Sequence, residues 1–229
     1  MDHGCAVAFT RKGKRVQRVT SGDTALVRAR DPIWISLKGA RPPSRRTVDE
    51  AFYIRVPPVF RALARLTLKL PRRSRLRQGV IRRSVLQAMG AWMRGDFEFG
   101  VIRYAPDAVL VLGDSDRMRL DLEASYRGRD GVSAFLKSYQ EAFGDRAYEP
   151  QWIVDLGGDV FVMLLHQSLR GRASGASVEQ VSAHRVEFHD GLIVREEVFF
   201  APGHDWTSLA QAVGLDRAEL VRKAEGLTD

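Results

Sequence analysis

The chain has 229 residues, 45% apolar and 28% charged, which suits one globular domain with extra segments. No stretch approaches the roughly eighteen uninterrupted apolar residues of a membrane-spanning helix, and the lone cysteine, Cys5, excludes a disulfide framework or a cysteine-rich zinc site. The formal charge of +8 points toward nucleic acid, but residues 1–95 hold 22 Lys/Arg against 5 Asp/Glu, whereas residues 96–229 hold 14 against 23. A domain that is acidic over its larger part is not expected to bind nucleic acid specifically.

Residues 1–47 carry scattered Arg and Lys, the turn-prone Ser21-Gly22-Asp23 and Arg41-Pro42-Pro43-Ser44, and few periodic apolar positions. They read as a disordered basic arm, in which only Ile33-Trp34-Ile35 has strand character. The one early apolar run, Cys5 to Phe9, is shorter than the roughly 7–15 residues of a secretory signal. The expected location is therefore cytoplasmic. Residues 48–73 read as a basic amphipathic helix. Val59, Phe60, Leu63, Leu66 and Leu70 follow helical spacing, Arg61, Arg65 and Lys69 recur every fourth position, and Pro71 closes it. Residues 58–77, with Arg72, Arg73, Arg75 and Arg77, offer contact to an anionic partner or membrane surface. The competing reading packs the leucines on the domain and leaves the arginines in water.

From residue 74 to 229 the pattern is that of an α+β domain. Ser74 caps a helix that ends near Gly95, and Asp96 is placed to cap a short turn through Phe97 and Phe99. Ala105-Pro106-Asp107 breaks the helix ahead of a strand at 108–112. An acidic loop follows with Asp114, Asp116, Asp121 and Glu123, and lacks the glycine and terminal glutamate of a calcium loop. Asp130 is a candidate cap for a helix burying Phe135, Leu136, Tyr139 and Phe143. Strands are expected at 147–155, 160–170, 178–189 and 192–200, separated by turns that include a tight Asp190-Gly191 hairpin. Asp205 and Gly214 bracket a short helix, and Asp216 opens another. Helices, a strand, a helix and an antiparallel meander make an α+β layout in which helices close a curved sheet into a cone-shaped barrel.

Arg94-Gly95-Asp96-Phe97, Ala105-Pro106-Asp107-Ala108 and Tyr126-Arg127-Gly128-Arg129-Asp130-Gly131 occur in that order. Gly171-Arg172-Ala173-Ser174-Gly175, His189-Asp190-Gly191-Leu192-Ile193-Val194-Arg195 and Ala212-Val213-Gly214-Leu215 follow. Over Ser74 to Leu215 the chain resembles the SnoaL-like branch of the nuclear-transport-factor-two-like superfamily. The resemblance implies a cone with an interior pocket for a small hydrophobic molecule, a homodimer, and a bacterial source. It also implies a range of activities that includes polyketide cyclases, epoxide hydrolases and ketosteroid isomerases, so the fold alone does not assign one. The carboxylate that cyclases and epoxide hydrolases place on the last strand matches Val198 here, and the cyclase asparagine on the first strand matches Leu110. A cyclase pocket histidine matches His184, six positions before Asp190. The Arg and Asp that epoxide hydrolases use on an earlier strand have no counterpart around 160–168.

Strand alternation places the remaining polar groups. With His184 inward, Ser182, Val186 and Phe188 are inward too, and counting from Val198 turns Glu196 and Val194 in. His166 and Ser168 share one face of the middle strand. His184, Glu196 and His166 are thus the candidate catalytic unit, in which the carboxylate orients an imidazole that moves a proton near neutral pH. Trp92, Tyr104, Leu110, Ser168, Ser182, Phe188 and Val198 are candidate substrate contacts. No phosphate-loop, nucleophile-elbow or metal-protease motif occurs, and Gly171 to Gly175 reads as a hairpin turn. No cofactor or metal is expected. The alternative to an enzyme is a ligand-binding or dimerisation module held to an anionic surface by its basic helices.

Overall fold

The computed structural model describes residues 31–113 and 122–225. The strands are β1 (Ile33–Ser36), β2 (Tyr104–Leu112), β3 (Ser125–Arg127), β4 (Phe143–Gly157), β5 (Val160–Gly171), β6 (Ser177–His189) and β7 (Leu192–Pro202). The helices are α1 (Val48–Arg55), α2 (Pro57–Lys69), α3 (Arg75–Arg94), α4 (Phe97–Val101), α5 (Gly128–Ala142), α6 (Trp206–Val213) and α7 (Arg217–Glu225). The strands form one sheet in the order β1-β4-β5-β6-β7-β2-β3. The β4–β7 meander is antiparallel throughout, and β2 joins β7 in parallel. This is the expected α+β cone, a curved sheet with helices packed on it.

Both faces of the sheet are covered, and strand parity sorts the side chains. Inward positions of β5, β6 and β7 pack with α3 and α5 in a core that includes Met89, Phe135, Leu136, Tyr139, Leu165 and Val198. Outward positions Val162, Leu164, Val181, Ala183 and Ala201 meet Trp206, Leu209, Ala210 and Val213 of α6 and Leu220 of α7. Apolar residues on both faces of the meander therefore have helices to meet. That explains why β5 reads Val-Phe-Val-Met-Leu-Leu without alternation.

The N-terminal region departs from the arm that was expected. The strand foreseen at Ile33–Ile35 forms β1, pairs antiparallel with β4, and buries Ile35 and, just beyond it, Leu37. Residues 31–47 thus belong to the fold, while residues 1–30 lie outside the described residues. The single helix expected at 48–73 is two. Pro57 cannot donate its backbone hydrogen bond, Val56 before it is non-helical (φ −131°, ψ 66°), and α2 restarts with proline in its first turn. Thr47 and Glu50 make a reciprocal capping box on α1.

Ion pairs bind these helices to the sheet. Asp155, 1% exposed on β4, accepts from Arg77 Nη2 at 2.9 Å and Arg72 Nε at 3.1 Å. Asp190, in the β6–β7 turn, receives Arg61 and, at 2.6 Å, Arg65. The turn itself has left-handed backbone at Asp190 (φ 51°) and Gly191 (φ 80°). A Cβ on Gly191 would stand 2.6 Å from the Arg61 carbonyl oxygen, so α2 rests directly on this turn.

The helix ends match expectation in part. Ser74 caps α3, and Gly95 ends it in the left-handed conformation. Asp96 precedes α4 but makes no cap bond there, because both its oxygens accept from Arg46 at 2.7 Å. Asp130 lies inside the first turn of α5, whose cap residue is Arg127. Asp205 and Asp216 cap α6 and α7 as expected. Among the acidic-loop residues, Asp114, Asp116 and Asp121 lie outside the described residues and Glu123 is exposed.

Candidate functional site

Between the sheet and helices α1–α4 lies a cavity of about 220 Å³. Leu63 and Thr67 of α2 and Tyr53 of α1 roof it, and Val80, Val85, Met89 and Trp92 of α3 form a side wall. Sheet residues Met163, Leu165, Val186, Phe188 and Ile193 form the floor. The lining is mainly apolar, with the polar groups Arg103, Tyr104, Gln167, His184 and Glu196 set among it. An apolar cavity with a few convergent polar groups is the usual form of a small-molecule site.

The polar cluster comes from adjacent strands. His184 on β6 is 1% exposed, and its Nδ1 lies 2.8 Å from Oε1 of Glu196 on β7. The Tyr104 hydroxyl, at the start of β2, donates to the other oxygen, Oε2. Glu196 is buried, which by itself would raise its pKa. The His184 hydrogen bond and charge, the Tyr104 hydroxyl and the Arg103 charge outweigh burial and hold it below the usual carboxylate range. The carboxylate is therefore ionised and accepts from both neighbours. Burial raises Tyr104 well above its usual value, reinforced by the Glu196 charge and hydrogen bond. With Nδ1–H committed to Glu196, His184 keeps Nε2 as an acceptor; this atom is buried and has no protein partner among the described residues.

Arg103 completes the cluster and was not foreseen. It sits between α4 and β2, where its carbonyl accepts from Ile193 N at 2.9 Å. Its side chain is buried and donates through Nη1 to the Ser84 carbonyl oxygen of α3 at 3.1 Å. Its Nε is buried without a partner among the described residues. Burial lowers its pKa from the ordinary guanidinium value, opposed by Tyr104 and Glu196. The available signal was a lone charge between Ile102 and Tyr104 in an apolar stretch.

The other candidates divide. Trp92 lines the cavity and meets the His184 ring edge-on at 6.3 Å, and Phe188 lines it from β6. Ser182 is fully buried beneath the lining and accepts from Gln167 Nε2 at 2.6 Å, while Gln167 Oε1 accepts from Tyr139 and Gln180. Leu110 and Val198 are packed into the core and do not line the cavity. His166 and Ser168 point to the opposite face. His166 lies 3.4 Å from Glu179 and stacks on His204 at 4.6 Å, and Ser168 donates to Glu179. His166 is thus no part of the catalytic unit, because the inward residue of β5 at that level is Gln167. Val194, expected inward, is the extra residue of a bulge, with Arg195 paired to Glu187 and Ile193 to Phe188, and it packs half-buried against the inner core. The bulge brings Ile193 into the cavity wall beside it.

The basic face is smaller than its sequence suggests. Arg61, Arg65, Arg72 and Arg77 are taken up by Asp190 and Asp155. Among the described residues no helix is long and apolar enough to cross a membrane, and no cluster of three His, Cys, Asp or Glu could hold a metal ion.

Residues 85–196 match the SnoaL-like domain family. Over those residues the chain is similar to SnoaL-like domains. The matched segment contains Trp92, Arg103, Tyr104, His184 and Glu196, whereas α1 and α2 lie ahead of it. No curated protein matches the chain. Among solved structures it is similar to an NTF2-like protein of unknown function from Burkholderia pseudomallei, at 21% identity and a TM-score of 0.47, covering 62% of this chain and 95% of that one. It is also similar to an NTF2-like protein from Burkholderia xenovorans (14%, TM-score 0.44, 62% and 93%). A third is an epoxide hydrolase from M. tuberculosis (18%, TM-score 0.41, 52% and 80%). These likenesses concern the fold alone.

Proposed function

We propose that the cavity binds a small, largely apolar carbonyl compound and that His184 moves a proton on it. The observation that supports this most directly is the buried, unpartnered Nε2 of His184 in an apolar cavity, with Nδ1 held by an ionised carboxylate. An imidazole oriented in this way, with its free nitrogen toward the cavity, can act as a general base. In the step, a C–H bond beside the carbonyl breaks, its proton passes to Nε2, and the electron pair moves onto the carbonyl oxygen. Glu196 stabilises the imidazolium, which returns the proton to the same or another carbon. Isomerisation follows directly, and cyclisation or hydrolysis would use the same base. The test is hydrogen–deuterium exchange of enolisable aryl and alkyl ketones in heavy water, followed by NMR with wild type and His184→Asn. Exchange lost in the variant supports the reading, and equal exchange in both sinks it.

A second reading, docking on an anionic lipid surface, is favoured by the cavity roof. Leu63, Leu66, Leu76 and Val80 are exposed on α2 and α3. Exposed Lys69, Arg73, Arg75 and Arg82 belong to the same helices and their connection, and enter none of the ion pairs described above. Apolar side chains with basic neighbours match an anionic bilayer in both charge and polarity.

A further inference from the structure

Arg103 is a buried cation that bonds no carboxylate among the described residues; the Glu196 charge acts on it only through space. Its side chain is buried, it donates to the Ser84 carbonyl oxygen, and Nε has no partner among the described residues. Glu196, the one acidic group in the polar cluster, is already engaged on both oxygens by His184 and Tyr104. The other buried arginine, Arg77, shows the usual arrangement, bonded to the Asp155 carboxylate at 2.9 Å and to the carbonyl oxygens of Leu68 and Leu70. Buried charges are normally paired, because leaving water without a partner is costly. Arg103 is paired with no carboxylate among the described residues, and it faces the cavity.

We infer that Arg103 is the binding site for an oxyanion on the ligand, so that the cavity selects an apolar molecule carrying one acidic oxygen group, a carboxylate or an enolate. The apolar walls from Leu63, Val85, Met89, Trp92 and Phe188 take the body of the ligand, and the guanidinium takes its negative oxygen. Where the ligand is an enolisable ketone, the same contact receives the electron pair that proton removal by His184 sends to oxygen. To that extent the inference rests on the proposed proton transfer. Anion recognition itself needs no reaction.

Titration calorimetry with octanoate and 4-phenylbutanoate, each against its primary amide, separates the two ideas. Wild type is expected to bind the acids about tenfold or more tightly than the amides, since a charge-assisted hydrogen bond replaces a neutral one. Arg103→Met should abolish that preference and Arg103→Lys retain part of it, with circular dichroism confirming that each variant folds. Should Arg103→Met fail to fold, Arg103→Lys and Arg103→Gln make the same comparison. His184→Asn should keep the acid preference while losing ketone exchange. Equal affinity for acid and amide in wild type, a preference that survives in Arg103→Met or Arg103→Gln, or no binding of either acid would overturn the inference. The acid–amide comparison does not bear on whether His184 exchanges ketone protons.

Discussion

His184 and Glu196 meet on the diagonal of the β6–β7 ladder. The register pairs His184 with Val198 and Glu196 with Val186, yet Nδ1 and Oε1 stand 2.8 Å apart. Long side chains reach the diagonal neighbour on one face of a sheet. Val198, directly opposite His184, is core. The carboxylate thus sits one inward position earlier on the strand than the family resemblance implied.

That geometry makes separate predictions for the two residues. His184→Ala should lower proton exchange by about 10²–10⁴-fold, the usual worth of a general base. Glu196→Gln keeps the shape but removes the charge that orients the imidazole and stabilises the imidazolium. Its exchange rate should fall by about tenfold or more, with the acidic limb of the pH–rate profile, where the base is lost to protonation, moved to lower pH. A parallel loss at all pH values would mean that Glu196 only supports the fold.

Stability should fall off at both extremes of pH. Glu196 is held below its ordinary value of 4.5 and Asp49 at about 2 from 3.8, in both cases against the effect of burial. Hydrogen bonds and charge from His184, Tyr104 and Arg103 act on Glu196, and bonds from Thr47, Gln87 and Arg83 on Asp49. Their stabilisation is complete above those ordinary values and is lost as pH drops through the folded ones. Tyr104 is raised above 10.0, mainly by burial, so the unfolded state ionises first and stability declines as pH rises past 10. Urea midpoints measured from pH 2 to 11 should show a plateau between these limits.

Asp155→Ala should cost about 3–5 kcal/mol, because it leaves the buried Arg77 guanidinium without its counterion. Urea unfolding gives the value directly, and a loss below about 1 kcal/mol would show that the pair is not needed.

Gly191→Ala adds a Cβ where φ is 80° and the Arg61 carbonyl oxygen is 2.6 Å away. The strain of the left-handed backbone alone is about 1–2 kcal/mol. Relief comes by lifting α2 from the turn, so amide exchange should accelerate in 57–69 more than in β6 and β7.

Docking of the cavity roof predicts binding to vesicles containing phosphatidylserine and none to pure phosphatidylcholine, with release as salt rises. Lys69→Glu combined with Arg73→Glu should remove that binding. Retention by the double variant would rule out the charge-based reading.

Local patterning was enough to delimit most elements. The β4–β7 meander, the Ser74 and Gly95 ends of α3 and the Asp190-Gly191 turn follow from residue types whose backbone preferences act over a few positions. His184 and Glu196 were legible as inward residues because their strands alternate. On β5 that signal vanishes: with helices packed on both faces, its apolar residues show no period, and His166 was assigned to the cavity where Gln167 belongs. The Val194 bulge likewise leaves no local mark. Arg103 and the roof needed the tertiary structure for another reason. Whether an arginine is a solvated surface charge or a buried cation depends on partners far along the chain. Arg61 and Arg65 meet Asp190, Arg77 meets Asp155, and Arg103, among the described residues, bonds a carbonyl and faces the cavity. Sequence alone determined which residues could be charged or apolar; long-range packing decided which charges were neutralised, because burial and pairing are properties of the assembled fold.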